Sequence, residues 1–275
     1  MTDVASASWD PGQYLRFGDH RSRPALELLS RVHVERPADV WDLGCGTGEG
    51  TRLLAERWPE ARVRGLDSSP SMLARAAASD AGRGSDPEWI EARIEDWRPD
   101  GPVSVLYSNA ALHWVGDHEH VFPRLFDALA PGGCLAVQMP LSFDQPSHRL
   151  MRETLGDAGP GGTPVGTEAL RRAMDRRWVG TPEDYFGFLV DRARHVDVWT
   201  TEVLQVLHGD EPVFEWVQGT GLRPILEGLE GDERTAFLER YRARLRAAYP
   251  ARADGHVLFP FRRLFVVATA RSERG

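Results

Sequence analysis

The sequence predicts an α/β fold built on a parallel sheet, and two observations lead there. Short β-type runs alternate with helix-period patterns from Asp39 to Met139, which is the pattern of successive βαβ units. The first unit opens with a strand that runs straight into three closely spaced glycines, Gly44, Gly46 and Gly48. With 275 residues, 41% hydrophobic and 27% charged, the chain suits one sizeable core with an appended subdomain.

The elements follow in order. Asp39 to Leu43 is an apolar run ended by glycines, the expected first strand. Glu49 to Trp58 places Leu53, Leu54, Arg57 and Trp58 at helical spacing, and Pro59 stops it. Val63 to Leu66 is the second strand. Ser69 followed by Pro70 starts a helix, because proline at the first helical position loses no intrahelical bond. Met72, Leu73, Ala76 and Ala77 give that helix one apolar face. A Gly/Ser/Asp-rich loop from Ser79 to Pro87 leads to a third strand near Trp89 to Ile94, and Val103 to Ser108 is the fourth. The next helix presents Val121, Phe122, Leu125, Phe126 and Leu129, and it is expected to end at Pro131-Gly132-Gly133. Leu135 to Met139 is the fifth strand.

Beyond Met139 the pattern loosens. Residues 146 to 192 read as helical pieces broken at Gly159 to Gly162, and His195 to Leu207 as a long strand. Helices are expected over about 212 to 219, 222 to 229 and 231 to 248. The last of these buries Phe237, Tyr241, Leu245 and Ala248 and turns its arginines to solvent. Val257 to Ala270 alternates as a final strand.

Composition narrows the function classes. The net charge is −8, from 33 basic and 41 acidic side chains, and every basic residue is arginine. Such a chain lacks the positive field that draws proteins to phosphate backbones, so neither nucleic acid nor anionic membrane is an expected partner. Cys45 and Cys134 stand alone, without a metal-ligand spacing, which suits a reducing, cytoplasmic compartment and packing roles. No metal site is expected. No signal peptide and no stretch approaching about 18 apolar residues is seen.

The decisive segment is Val40-Trp41-Asp42-Leu43-Gly44-Cys45-Gly46-Thr47-Gly48. Glycine is needed where the backbone takes a positive φ or lets a ligand approach closely, and the following helix start offers free N–H groups. A dinucleotide loop would read GxGxxG. Here the third glycine comes one residue early, and Asp42 and Glu49 flank the loop. Carboxylates repel a pyrophosphate and suit a cationic ligand, such as the ammonium and sulfonium of S-adenosylmethionine. Asp67 follows Gly48 by nineteen residues at the end of the second strand, where an acid accepts both hydroxyls of a ribose.

The segments DLGCGTG, GLDSSPSML, IEDW and SNAALHWV resemble the successive cofactor motifs of class I S-adenosylmethionine-dependent methyltransferases. More narrowly, the chain resembles the trans-aconitate 2-methyltransferase family. That likeness rests on the opening Trp9-Asp10-Pro11 to Glu27-Leu28-Leu29, on Val137-Gln138-Met139-Pro140 and on Val196-Asp197-Val198-Trp199. It continues in Glu215-Trp216-Val217, Thr220-Gly221-Leu222-Arg223-Pro224 and Phe259-Pro260-Phe261-Arg262-Arg263-Leu264-Phe265.

The resemblance implies a Rossmann-like fold: a mostly parallel seven-stranded sheet with helices on both faces and a helical insertion near the C-terminus. It implies a lid segment over 1–30, a cofactor core over 31–145, substrate-covering helices and strand six over 146–256, and a final strand over 257–270, all in one domain. The implied activity is methyl-ester formation on a small polycarboxylate, most readily trans-aconitate, by a monomer or homodimer. Gly44, Gly46 and Gly48 would line the methionine part of S-adenosylmethionine, with Asp42 near its ammonium. Asp67 would hold the ribose, Ser68 and Met72 would border the adenine, and Ile94 would offer its N–H to the ring. Asn109 and Ala110 would sit near the sulfonium.

Two positions depart from the family pattern. Arg93 stands where an acid commonly binds the adenine amino group, so Glu95 or Asp96 is expected to substitute. Val203 and Gln205 stand where a Tyr and a His are expected after Trp199. Cations would hold the acceptor's non-reacting carboxylates, because the guanidinium fork matches a carboxylate bidentately. The candidates are Arg21, Arg23, Arg223, Arg262 and Arg263, with Tyr14, His113 and Trp114 also near the acceptor. No general base is required, since a carboxylate is already ionised at neutral pH; His113 would serve as one only for a hydroxyl or amine acceptor. The competing readings are a methyltransferase for another small molecule, a nicotinamide-dependent oxidoreductase, and a non-catalytic S-adenosylmethionine-binding protein.

Overall fold

In the computed structural model, which describes residues 18–80 and 87–272, seven strands form one sheet in the order β3-β2-β1-β4-β5-β7-β6. The first five are β1 (Asp39–Leu43), β2 (Arg62–Asp67), β3 (Glu88–Glu91), β4 (Val103–Asn109) and β5 (Leu129–Pro140). They pair in parallel: Val40 lies beside Val63 on one side and Val105 on the other, and Leu106 lies beside Leu135. The last two are β6 (Ala193–Leu207) and β7 (Val257–Ala270), and β7 runs antiparallel to β5 with Val137 opposite Val266. The strand order reverses beside β1, so the loops after β1 and β4 open at the switch point where such sheets bind ligands.

The helices are α1 (Gly18–Ser30), α2 (Glu49–Arg57), α3 (Pro70–Asp80), α4 (His118–Asp127), α5 (Pro146–Gly156), α6 (Glu168–Asp175), α7 (Pro182–Leu189), α8 (Pro212–Gln218), α9 (Arg223–Gly228) and α10 (Gly231–Ala248). By contact density the chain divides into two compact units. Of the described residues, one comprises 18–80, 87–140, 178–201 and 263–272; the other comprises 141–177 and 202–262.

In the first unit one face of the sheet is buried under α1 and α2. Leu28, Leu29 and Val32 pack with Val40, Leu54, Trp58, Val63, Val105, Tyr107, Phe265 and Val267. Trp199 stacks nearly parallel on Phe265, with ring centroids 4.8 Å apart. Cys134 is buried in the same core, and burial pushes its thiol up to about 12, which leaves it an inert packing residue.

The second unit is held by α5 against α10. The Tyr241 hydroxyl donates to the Ser147 carbonyl and the Ser147 amide donates to the Tyr249 hydroxyl, each at 3.0 Å. His148, beside them, has its imidazole pushed down to about 4 by burial and by Arg152.

Four sequence expectations need correcting. The Pro131-Gly132-Gly133 stretch does not end a helix; α4 stops at Asp127 and β5 already begins at Leu129. The register between β4 and β5 shifts there, and a Cβ on Gly133 would lie 2.8 Å from the Ala130 carbonyl and 3.0 Å from that of Val103. The glycine thus lets the bulge close rather than break the chain. In α10 the buried stripe continues from Leu245 to Tyr249, whereas Ala248 is exposed. Several α10 arginines are engaged rather than simply solvated: Arg242 and Arg246 pair with Glu211, and Arg244 with Asp157. Finally, Ala77 is exposed, which leaves Met72, Leu73 and Ala76 as the buried face of α3.

Candidate active site

The glycine loop is shaped by left-handed backbone at all three glycines, with φ of 77° at Gly44, 56° at Gly46 and 79° at Gly48. L-residues avoid that region because Cβ approaches the following carbonyl. Their surroundings differ. A Cβ on Gly44 would lie 2.2 Å from the Ala111 Cβ, and one on Gly48 would lie 2.3 Å from the Trp89 ring. Around Gly46 a Cβ would meet nothing within 4 Å among the described residues. Two of the glycines therefore serve the protein's own packing as well, whereas Gly46 meets no described neighbour.

Two carboxylates organise the loop. Asp67 accepts from the Gly46 amide through Oδ2 and from the Ser69 amide through Oδ1, each at 2.9 Å. Each oxygen keeps a lone pair for a further donor. Asp42 is buried in β1 and accepts from the Thr51 hydroxyl at 2.7 Å. Burial pushes its carboxyl up to about 7, against the Thr51 hydrogen bond and with the help of the Asp67 charge. Cys45 is buried beside them and its thiol is pushed far up, first by burial and then by Asp42 and Asp67.

The neighbouring strand ends complete the rim. Met72 is buried on α3 while Ser68 is exposed. Ile94 is buried, and its carbonyl accepts from Arg124 at 2.9 Å. Arg93, the residue out of family pattern, pairs with Glu95 at 2.8 Å and reaches Asp96 at 4.0 Å. Arg93 thus sits beside both acids expected to stand in for the missing one. At the end of β4 the Asn109 Oδ1 is buried with no hydrogen-bond partner among the described residues, and Ala110 takes φ of 56° while its amide donates to the Gln138 carbonyl at 2.9 Å. The turn that follows carries His113 and Trp114, whose rings lie 4.6 Å apart; Trp114 is exposed.

The arginine candidates separate clearly. Arg263, on β7, is buried in the first unit and donates to the Gln138 Oε1 at 3.2 Å. Arg262 is exposed on the same strand. Arg223 belongs to the second unit and donates to Glu227 at 2.9 Å. Arg23 is exposed on α1, which also carries Arg21. Tyr14 lies outside the described residues. In the second unit Gln205 is buried with no partner for its Oε1, and Val203 is half-buried on the same face of β6.

Sequence reasoning missed Thr51, Ala111, Trp89 and Gln138. Ala111 lies within SNAALHWV and Gln138 within Val137-Gln138-Met139-Pro140, but the role of each is set by a partner outside its own segment. A small or branched residue opposite a glycine leaves no signal at fixed spacing.

Comparison with known proteins bears on the fold and the family. A methyltransferase-domain family model matches residues 40–133. A putative methyltransferase from Bacillus halodurans has a similar fold, with a TM-score of 0.58 at 12% identity over 91% of this chain and 100% of that one. A phosphoethanolamine N-methyltransferase of Haemonchus contortus gives 0.53 at 15% identity over 91% and 53%. Among curated relatives, trans-aconitate 2-methyltransferase of Pseudomonas paraeruginosa is 45% identical over 96% of this chain and 94% of its own length. That of Streptomyces avermitilis is 48% identical over 96% and 98%. With both its fold and its full-length relatives in agreement, the chain belongs to the trans-aconitate 2-methyltransferase family.

Proposed function

We propose that this protein transfers the methyl group of S-adenosylmethionine to a carboxylate of trans-aconitate. The observation that carries the reading is the pairing of an open glycine with a prepositioned acid. Among the described residues Gly46 faces open space while its amide orients Asp67, whose oxygens retain acceptor capacity for two ribose hydroxyls. The residues present fit the cofactor: a loop in left-handed conformation, Asp42 where its ammonium would lie, Asp67 where its ribose would lie, and an Asn109 oxygen at the end of β4 that is buried with no partner among the described residues. When bound, S-adenosylmethionine supplies an electrophilic methyl group on a sulfonium.

The chain's own residues then bind, orient and exclude water. Asp42 and the loop glycines hold the methionine part, Asp67 the ribose, and Met72, Ser68 and Ile94 the adenine. The acceptor carboxylate is ionised at neutral pH, so the protein need not remove a proton. Its task is to aim a carboxylate oxygen along the methyl–sulfur axis in a dry site. Arg263 is the best placed of the arginines to hold a non-reacting carboxylate, because its guanidinium is already desolvated on β7. His113 and Trp114 border the acceptor. The protein acts on a small molecule, as a monomer or homodimer of the cytoplasm; no described helix is long and apolar enough to cross a membrane.

The test is methyl transfer from labelled S-adenosylmethionine to trans-aconitate, with cis-aconitate, citrate and isocitrate beside it. Selective ester formation on trans-aconitate is expected. Intact cofactor binding without ester formation on any of the four would move the acceptor elsewhere. The substitutions Val203 and Gln205 favour that second outcome.

A further inference from the structure

The segment that joins β4 to α4 is bracketed by strain. It begins at Ala110, with φ of 56°, and ends at Asp117, with φ of 59°, the two non-glycine residues of positive φ among the described residues. Such conformations persist only where their surroundings over-determine them, and they cluster at working sites. Between them lies the single turn Leu112–Trp114 that carries His113 and Trp114.

What fixes this turn is not in any motif. His118 is buried at the start of α4, and its Nε2 lies 2.9 Å from the Leu112 carbonyl. A carbonyl only accepts, so Nε2 carries the proton and Nδ1 presents a lone pair. That lone pair lies 2.7 Å from the Tyr185 hydroxyl, which therefore donates to it. The same hydroxyl oxygen accepts from the Gly180 amide at 3.0 Å. The chain of donors thus runs in one direction, from Gly180 through Tyr185 and His118 to Leu112.

The far end of the relay is itself rigid. Thr181 and Asp184 form a reciprocal capping box, and Pro182 occupies the first turn of α7. A Cβ on Gly180 would lie 2.7 Å from the Asp184 carboxylate, so the close approach needs glycine there. Phe122 packs on both rings, 5.3 Å from His118 and 4.7 Å from Tyr185 between centroids. Burial holds the imidazole below its usual range and so keeps it in the neutral form the relay requires.

We propose that His118 and Tyr185 are positioning residues for the acceptor: they hold the Leu112–Trp114 turn, with His113 and Trp114, in the one conformation that meets the methyl acceptor. This rests on the methyl-transfer reading above. Neither residue touches cofactor or acceptor; both act through the Leu112 carbonyl.

Three variants test it: Tyr185→Phe, which deletes one hydroxyl; His118→Phe, which deletes the donor; and His118→Gln, whose side-chain amide restores it. Acceptor kcat and KM, cofactor Kd and hydrogen exchange of the 111–117 peptide are measured together. The first two variants are expected to lower kcat/KM for the acceptor about tenfold, with cofactor Kd unchanged and exchange faster in 111–117 than in the glycine loop. His118→Gln is expected to recover most of the loss. Two results would overturn the proposal: unchanged kcat/KM and exchange in both deletion variants, or a rate loss matched by equal weakening of cofactor binding. A wild-type protein that methylates no acceptor overturns the methyl-transfer reading and the acceptor role with it. An active wild type with unchanged variants overturns the positioning role alone.

Discussion

The backbone amide of Gly46 donates to Oδ2 of Asp67 at 2.9 Å, so the loop after β1 and the acid ending β2 form one hydrogen-bonded unit. The Ser69 amide holds the other oxygen. The carboxylate is thereby fixed before any ligand arrives, which spares the ordering cost of binding. Replacing it disturbs the loop and the ligand contact together. Asp67→Asn would set an amide N–H against one of the two amide donors. Cofactor affinity is expected to fall by about 2–3 kcal/mol, roughly a hundredfold in Kd, as read by calorimetry. A Kd within about threefold of wild type would remove Asp67 from the ribose.

The glycines should separate by variant. Gly44→Ala adds about 1–2 kcal/mol of left-handed strain to about 1–3 of overpacking against Ala111. Its melting temperature should drop clearly. Gly46→Ala carries the strain alone, since nothing lies within 4 Å of the added Cβ. It should stay folded and lose cofactor binding, because the methyl occupies the ligand's space. Equal binding by Gly46→Ala and wild type would show that the open face is not the cofactor's.

Binding should also depend on pH through Asp42, whose carboxyl is pushed up to about 7 by burial. The sign follows from the ligand's charge. Above that pH the carboxylate attracts the ammonium of S-adenosylmethionine; below it a proton occupies the site and affinity falls. Calorimetry in buffers of different ionisation enthalpy should detect proton release on binding near neutrality, and Asp42→Asn should abolish both effects. The fold responds with the opposite sense. Between the ordinary carboxylate range and about 7 the folded chain holds a proton that the unfolded chain releases, so this group's contribution to stability declines as pH rises through that window.

The arginines offer the sharpest contrast on the acceptor side. Arg223 already donates to Glu227, one helical turn away, and the pair is partly solvated. Arg263 is buried, and Gln138 is one of its partners. Arg263→Ala should raise the acceptor KM about tenfold or more, the cost of about one charge-assisted hydrogen bond. Arg223→Ala should change it by no more than about threefold, in line with the small worth of exposed pairs. Steady-state kinetics on both variants, with melting curves to confirm folding, checks the order.

Much of the site was legible because its chemistry is local. The left-handed turn, the two acids and the Ser69-Pro70 helix start are each encoded within a few residues, and the structure places Asp67 at the end of β2 as the sequence implied. Strand and helix periods likewise located β6, β7 and the three helices between them. Where local reading failed, the cause was a partner elsewhere. Glycines 132 and 133 signal a helix end in sequence, yet they serve a bulge beside Val103. The arginines of α10 look solvated until Glu211 and Asp157 are brought beside them.

The sequence by itself determined the α/β class, the glycine loop and the acids that flank it, since periodicity and positive-φ demands act through near neighbours. Only the tertiary structure decided that Gly44 and Gly48 answer to Ala111 and Trp89 while Gly46 stays open, that Arg263 is buried on Gln138, and that His118 reaches Tyr185 across 67 residues. These relationships join side chains whose separation along the chain carries no period, so they come into being only when the sheet assembles.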